Sequence, residues 1–127
     1  MPRYFTPYEA NQTLDFLRPL VEEVLRIRAD ILARRPDLWP AIQKSVGNGG
    51  SAALSQLFVD FERLDQLVHR IQELGVHIKD INAGLMDFPA LHEGREVYLC
   101  WRHGESRVEF WHDVESGFAG RQLIDWE

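Results

Sequence analysis

The chain has 127 residues, of which 45% are hydrophobic and 27% charged, and its formal net charge is −6. This length and composition suit one globular domain, and no apolar run approaches the ~20 residues that a membrane-spanning helix needs. The single cysteine, Cys100, excludes an intrachain disulfide. The first residues also lack an apolar signal-peptide core, so the sequence predicts a cytoplasmic protein with no membrane partner.

Charge is distributed unevenly along the chain. Residues 1–46 carry seven basic and six acidic side chains, whereas residues 76–127 carry five basic and ten acidic side chains. Nucleic-acid binding depends largely on a basic surface that neutralises phosphates. The acidic C-terminal part therefore argues against a nucleic-acid partner and favours a cation or a basic protein surface.

A long amphipathic helix is predicted first. Thr6 and Glu9 have the spacing of a capping box, and Pro7 suits the first helical position. From Ala10 to Val24 the apolar residues recur at alternating spacings of four and three, and the series continues through Arg28 to Ile31, which is the pattern of a helical seam with one charged interruption.

A glycine-rich segment, residues 47–51, separates this helix from a second one. Ser51 is the expected N-cap, apolar residues recur from Leu54 to Ile71, and Gly75 is the expected C-cap. Such a loop before a helix can bind an anion, but it lacks the Gly-Lys-Ser/Thr of a nucleotide-binding loop, so a connector is favoured. We therefore expect an antiparallel two-helix hairpin. The surplus of apolar positions on the second helix predicts a homodimer through this hairpin.

Beyond Gly75 the pattern changes to alternation, which predicts a small antiparallel β-sheet. Strands are expected over 95–102 and 107–112, joined by a two-residue turn at His103-Gly104. The predicted cross-strand pairs are Leu99 with Val108, Val97 with Phe110, Arg102 with Glu105, and Tyr98 with Glu109. The sequence thus predicts one α+β domain, with the helical hairpin in residues 1–75 and the β unit in residues 76–127.

Carboxylates and imidazoles concentrate in the β unit. Asp87, Glu105 and His112 are the candidate catalytic and metal-ligating residues, with Asp80 and His103 as further members. Carboxylate and imidazole ligands suit a divalent metal, and an open coordination position would activate water for hydrolysis. No His-x-x-His, Cys-x-x-Cys or His-Glu-x-x-His spacing strengthens this assignment. The predicted register also places His112 on an apolar face, where a hydrogen-bonded core histidine is the commoner arrangement.

A second candidate site is the turn from Gly117 to Arg121. Gly117 and Gly120 permit a curled backbone with its amides pointing one way, and Arg121 adds a positive charge. Trp101 and Trp111 are the aromatic candidates for contact with such a ligand. The competing interpretation is an ordinary turn in which the glycines supply the positive φ angles that the backbone needs. In that case Arg121 would satisfy a buried Asp87 or Glu105.

Cys100 is the only thiol in the sequence and is therefore a candidate nucleophile. The predicted register sets it opposite Arg107, whose charge would lower the thiol pKa. The competing interpretation is a small buried hydrophobic residue.

Several segments resemble an uncharacterised prokaryotic family. These are FTPYEAN (5–11), LVEEV (20–24), GLMDFPA (84–90), GREVYLCW (94–101), HGE (103–105), FWH (110–112) and GFAGRQ (117–122). Together they resemble the family known as domain of unknown function 2203. The resemblance implies a small intracellular protein of one domain, and it supplies no catalytic residues, cofactor or substrate.

Three functions remain open at this point. The favoured one is a homo-oligomeric binding or assembly module with a protein or small-molecule ligand. The second is a small metal-dependent hydrolase that uses Asp87, Glu105 and His112 with a divalent metal cofactor. The third is an anion or small-ligand site at Gly117–Arg121.

Overall fold

The computed structural model describes residues 3–47 and 58–127, with the side chain of Phe58 outside the described set. In chain order the elements are α1 (Pro7–Arg34), a 3-10 turn (Pro36–Leu38), α2 (Trp39–Ser45), α3 (Phe58–Glu73), β1 (His77–Asp80), β2 (Leu85–His92), β3 (Arg95–Arg102), β4 (Phe110–Asp113), a second 3-10 turn (Phe118–Gly120) and β5 (Gln122–Leu123). Residues 48–51 of the loop predicted over 47–51, and the predicted start of the second helix, lie outside the described residues.

The start of α1 forms as the sequence predicts. The Thr6 hydroxyl accepts a hydrogen bond from Glu9 N at 3.1 Å, and the Glu9 carboxylate accepts one from Thr6 N at 2.9 Å. This reciprocal pair satisfies two of the amide groups that every helix leaves without partners at its N-terminus. The capping box is therefore confirmed, with Pro7 in the first turn.

Helices α1 and α3 run antiparallel. Arg34 near the end of α1 contacts Asp60 near the start of α3 at 2.6 Å, and Glu23 in the middle of α1 pairs with Arg63 at 2.8 Å. Their seam is buried, as the helical spacing predicts. Its members include Leu14, Leu17, Val21 and Val24 on α1, and Leu64, Leu67, Val68 and Ile71 on α3. Of the apolar residues that motivated the homodimer prediction, those whose side chains the structure describes are thus packed within the chain, namely Phe61, Leu64, Leu67, Val68 and Ile71.

The five strands form one antiparallel sheet in the order β1-β2-β3-β4-β5. Helices followed by an antiparallel sheet confirm the predicted α+β class. Strands β2 and β3 are joined by a two-residue turn at Glu93-Gly94, where both residues have positive φ. That hairpin places Asp87 directly opposite Cys100.

The predicted register of the β3–β4 hairpin is wrong by three positions. The structure pairs Leu99 with Trp111 and Cys100 with Phe110, although the chain does turn at His103-Gly104. The reason lies in α1, because the Asn11 amide group donates to Val108 O at 3.1 Å and accepts from Val108 N at 2.8 Å. The segment before β4 is therefore bonded to a helix, and its pairing with β3 begins only at Phe110.

The register decides which side chains share each face of the sheet. On the inner face, alternate strand residues join the hydrophobic core with the helices. They are Met86, Phe88, Ala90, Val97, Leu99, Trp101 and Trp111. On the outer face lie Asp87, Tyr98, Cys100, Phe110 and His112. Side chains alternate between the two faces of a strand, so an error of three positions in the register places a residue beside the wrong set of neighbours. His112 therefore lies beside Tyr98 and Cys100 instead of its predicted neighbours.

Candidate metal centre

Three polar side chains meet on the outer face of the sheet although all three are buried. Asp87 comes from β2, Cys100 from β3 and His112 from β4, and their exposed fractions are 3%, 0% and 1%. One ligand atom from each lies within 4.8 Å of the other two. Carboxylate, thiol and imidazole thus converge from three neighbouring strands, each with an atom that can bind a metal ion.

Hydrogen bonds fix the orientation of the His112 ring. Its Nδ1 lies 2.8 Å from the backbone oxygen of Asp113, and its Nε2 lies 3.0 Å from Oδ1 of Asp87. A carbonyl oxygen can only accept, so Nδ1 must carry the hydrogen. This leaves Nε2 as the nitrogen that faces Asp87. A metal-ligating histidine is typically held in this way, with its second nitrogen bonded to a backbone carbonyl.

The Cys100 thiol is protonated in this environment. Burial, followed by the nearby charge of Asp87, raises its pKa to about 12, and the charge of Arg121 only partly opposes this. The predicted neighbour, Arg107, is not opposite Cys100, because Phe110 occupies that position. The prediction of a lowered thiol pKa is therefore wrong. Both nitrogens of His112 also face other acceptors, so His112 is not placed as a base for this thiol.

Glu105 and Arg121 form a separate pair next to the cluster. Nη2 of Arg121 lies 2.7 and 2.8 Å from the two carboxylate oxygens of Glu105, and it also reaches Cys100 O at 3.4 Å. The guanidinium group stacks between Phe110 at 4.1 Å and Phe118 at 4.5 Å. Glu105 accepts a further hydrogen bond from Arg102 N at 2.7 Å. Of the three predicted metal ligands, the structure therefore brings together Asp87 and His112. The third ligand of the cluster is Cys100, whereas the predicted third ligand, Glu105, is paired with Arg121.

The predicted ligand-binding tryptophans lie on the opposite face of the sheet. Trp101 is fully buried in the core and donates from Nε1 to Glu105 O at 2.9 Å. Trp111 is 8% exposed and its ring contacts His92 and Trp126. Neither indole therefore faces the polar cluster.

The other predicted site residues lie at turns. Gly117 and Gly120 bracket a 3-10 turn in which Gly120 N donates to Gly117 O at 3.1 Å. An anion at this turn would have to displace Glu105 from Arg121. Asp80 accepts a hydrogen bond from the backbone N of Asn82 at 2.9 Å, and His103 lies 3.5 Å from Glu22.

Sequence reasoning missed Cys100 as a neighbour of Asp87 because it did not assign β2. The strand reads LMDFPALH and is buried along most of its length, so it lacks the alternation of a half-exposed strand. It also contains Pro89, which is unusual inside a sheet. The Glu93-Gly94 pair was the available signal, since a two-residue turn there sets Asp87 opposite Cys100.

These features define the class of protein as an α+β fold in which a helical layer covers one face of an antiparallel sheet and a buried polar cluster lies on the other. The chain belongs to the family described as Uncharacterized conserved protein (DUF2203), whose family profile matches residues 3–124. The resemblance seen in the sequence is thereby confirmed. Neither the curated proteins nor the solved structures gave a match to the chain. Of the helices in the described ranges, none has the length and apolar character to cross a membrane.

Proposed function

We propose that this protein binds one divalent metal ion, Zn²⁺, through Asp87, Cys100 and His112. The observation that carries the proposal is the convergence of these three buried side chains from three strands, with ligand atoms within 4.8 Å of one another. Thiolate, imidazole and carboxylate are all ligands that Zn²⁺ accepts, whereas Mg²⁺ and Ca²⁺ prefer oxygen ligands alone.

Burial gives a physical reason for a cation at this position. A buried carboxylate is costly unless it is paired with a positive charge, and Asp87, which is 3% exposed, is bonded to the imidazole of His112 rather than to a lysine or arginine. Zn²⁺ would replace the thiol hydrogen of Cys100 and any hydrogen shared between Nε2 of His112 and Asp87. The charges of Zn²⁺, one thiolate and one carboxylate then cancel, which leaves a neutral group inside the protein.

The same burial favours metal binding over hydrolysis. A metal-bound water can attack a substrate only if the substrate reaches the metal, and none of the three residues is more than 3% exposed. The geometry therefore supports a metal-binding role better than the hydrolase hypothesis.

Titration of metal-free protein with Zn²⁺ in competition with a chromophoric chelator tests the proposal. We expect one Zn²⁺ per chain with a dissociation constant at or below ~10⁻⁷ M, which corresponds to about 10 kcal/mol. Cys100→Ser, Asp87→Asn and His112→Gln should each weaken binding at least ~10-fold. Binding that is equally tight in Cys100→Ser would refute the proposed ligand set.

His69→Gln is the matched control for this titration. His69 also faces an aspartate, with its Nδ1 lying 3.5 Å from Asp65, but the pair is on the exposed surface of α3 and has no cysteine beside it. This variant removes an imidazole next to a carboxylate without touching the cluster, so we expect its zinc affinity to equal that of the natural chain.

Self-association is a second candidate function, favoured by exposed aromatic rings on α1. Tyr8 and Phe16 are 64% and 69% exposed and lie eight residues apart, so they share a face of the helix. Gln12 between them donates to the Tyr8 hydroxyl at 2.9 Å. Sedimentation of the natural chain and Phe16→Ser at high concentration tests this candidate. Only the natural chain should dimerise, and a monomeric natural chain would exclude it.

A further inference from the structure

We infer that His77 supplies the fourth ligand of this metal site and so closes its coordination shell. The inference rests on the proposed zinc binding, because Asp87, Cys100 and His112 fill three positions of a tetrahedral ion. The remaining position would face outward from the sheet. The nature of the group at that position decides whether the ion can bind water or only holds the strands together.

His77 lies directly across the sheet from Asp87. The two residues are Cα partners in the β1–β2 ladder, so their side chains are on the same face. Opposite side chains in an antiparallel ladder have Cβ atoms about 4.5–5.5 Å apart. Asp87 in turn is the partner of Cys100. His77, Asp87 and Cys100 therefore form one row across three strands, and His112 lies in the adjacent row.

The rings of His77 and His112 both lie beside the ring of Tyr98. The Tyr98 ring has its centroid 5.7 Å from the His77 ring and 5.7 Å from the His112 ring. Rotation of the exposed His77 side chain about χ1 and χ2 is the movement that would bring its nitrogen toward Asp87. Exposed side chains make such rotamer changes readily.

His77 is also available as a ligand. It is exposed, and its ring nitrogens have no hydrogen-bond or ion-pair partner within residues 3–47 and 58–127. The other imidazoles are engaged in contacts, namely His69 with Asp65, His92 with Trp126, His103 with Glu22 and His112 with Asp87.

The other side chains around the cluster are poorer ligands than His77. Arg121 is a cation that already pairs with Glu105 at 2.7 Å, and Phe110 has no donor atom. Tyr98 would have to lose its hydroxyl hydrogen to bind a metal as a phenolate, and a free tyrosine does so only near pH ~10. An imidazole needs no such deprotonation once it is neutral.

Four ligands from β1, β2, β3 and β4 would make the site a closed structural one. A closed shell leaves no position for an activated water, and it ties the edge strand β1 to the middle of the sheet. Metal binding would then order the outer face of the sheet rather than perform chemistry on a substrate.

Co²⁺ spectroscopy with added azide tests the inference in the natural chain and in His77→Ala. In the natural chain we expect tetrahedral visible bands that azide does not change. In His77→Ala we expect zinc affinity to fall at least ~10-fold. Azide should then shift the Co²⁺ bands, and free imidazole should restore the original spectrum.

Two outcomes separate this inference from the proposed function. If Zn²⁺ binding depends on Cys100 and His112 but is unchanged in His77→Ala, the fourth-ligand assignment is overturned and the proposed function stands. If binding is unchanged in Cys100→Ser, the proposed function itself fails. His69→Ala is the control for loss of a surface histidine and should behave as the natural chain does.

Discussion

At the scale of single residues, Asn11 has the clearest effect on the sheet. Its amide bonds both the N–H and the C=O of Val108, at 2.8 and 3.1 Å, so one side chain replaces a strand partner. Val108 is 3% exposed, and water cannot readily satisfy these groups if Asn11 is removed.

Asn11→Ala is therefore expected to destabilise the protein by about 1–3 kcal/mol, the usual cost of leaving buried polar groups without partners. Chemical unfolding measures this free energy. Gln12→Ala is the control, since Gln12 bonds only the exposed hydroxyl of Tyr8, and its effect should stay within ~0.5 kcal/mol. Equal stability of Asn11→Ala and the natural chain would contradict this role.

Gly84 offers a second residue-scale prediction through comparison with Gly94. Both have positive φ, 65° and 80°, but a Cβ on Gly84 would lie 2.8 Å from His103 Cβ, whereas one on Gly94 would meet no atom within 4 Å among the residues that the structure describes. Gly94→Ala should thus report only the backbone cost of ~1 kcal/mol. We expect Gly84→Ala to lose a further 1–3 kcal/mol, roughly, from overpacking. Similar unfolding free energies for the two variants would show that the close packing is relieved at little cost.

At the scale of elements, the contact between α1 and α3 includes one well-formed ion pair. Both oxygens of the Glu23 carboxylate accept hydrogen bonds from Arg63, at 2.8 and 2.9 Å. The hydrogen bond from Arg63 lowers the Glu23 pKa below its ordinary value of 4.5. A lowered carboxyl pKa stabilises the folded state above the ordinary value, and this stabilisation is lost as the pH falls through the folded-state pKa.

Glu23→Gln should consequently lower stability by about 0.5 kcal/mol near pH 7, a typical value for a partly exposed pair. The difference from the natural chain should shrink below pH 4.5, where the paired carboxylate becomes protonated. Unfolding curves measured from pH 7 to pH 3 test this. Glu62→Gln, an exposed neighbour on α3, controls for the change of net charge. A difference in unfolding free energy that grows toward acid pH would contradict the predicted direction of the pH dependence.

The sequence predicted elements best where a local rule fixed them. The capping box at Thr6, the seam of α1 and the alternation of β3 each depend on residues close in the chain, and each forms in the structure. Strand β2 was missed because burial on both faces removes the alternation that marks a strand. The predicted β3–β4 register was wrong, and the structure shows Val108 bonded to Asn11, which is 97 residues away in the chain and so out of reach of a local rule.

The residues of the candidate metal site also differ in how far local sequence information could predict them. Asp87 and His112 could be selected from residue type alone, and the structure brings them within 3.0 Å. Residue type alone could not show that Glu105 lies outside the cluster. Its pairing with Arg121 depends on how the segment after β4 folds back. Cys100 was assigned to another chemistry because its partner strand was unknown.

At the scale of the whole molecule, the single-domain organisation stays a prediction. One hydrophobic core contains residues of all three helices and of the inner sheet face, so helices and sheet should unfold together. Far-ultraviolet circular dichroism reports the helices, and in a Trp39→Phe variant tryptophan fluorescence reports only the three tryptophans of residues 76–127, namely Trp101, Trp111 and Trp126. We expect both signals to give one coincident transition. Separate midpoints would mean that residues 1–75 and 76–127 are independent units.

The most direct test of zinc binding by Asp87, Cys100 and His112 is X-ray absorption at the zinc edge of the loaded protein. We expect one sulfur neighbour at about 2.3 Å, with nitrogen and oxygen neighbours at about 2.0–2.1 Å. The sulfur contribution should vanish in Cys100→Ser. A shell of nitrogen and oxygen alone in the natural chain, or the same sulfur contribution in the variant, would contradict a site built on Cys100.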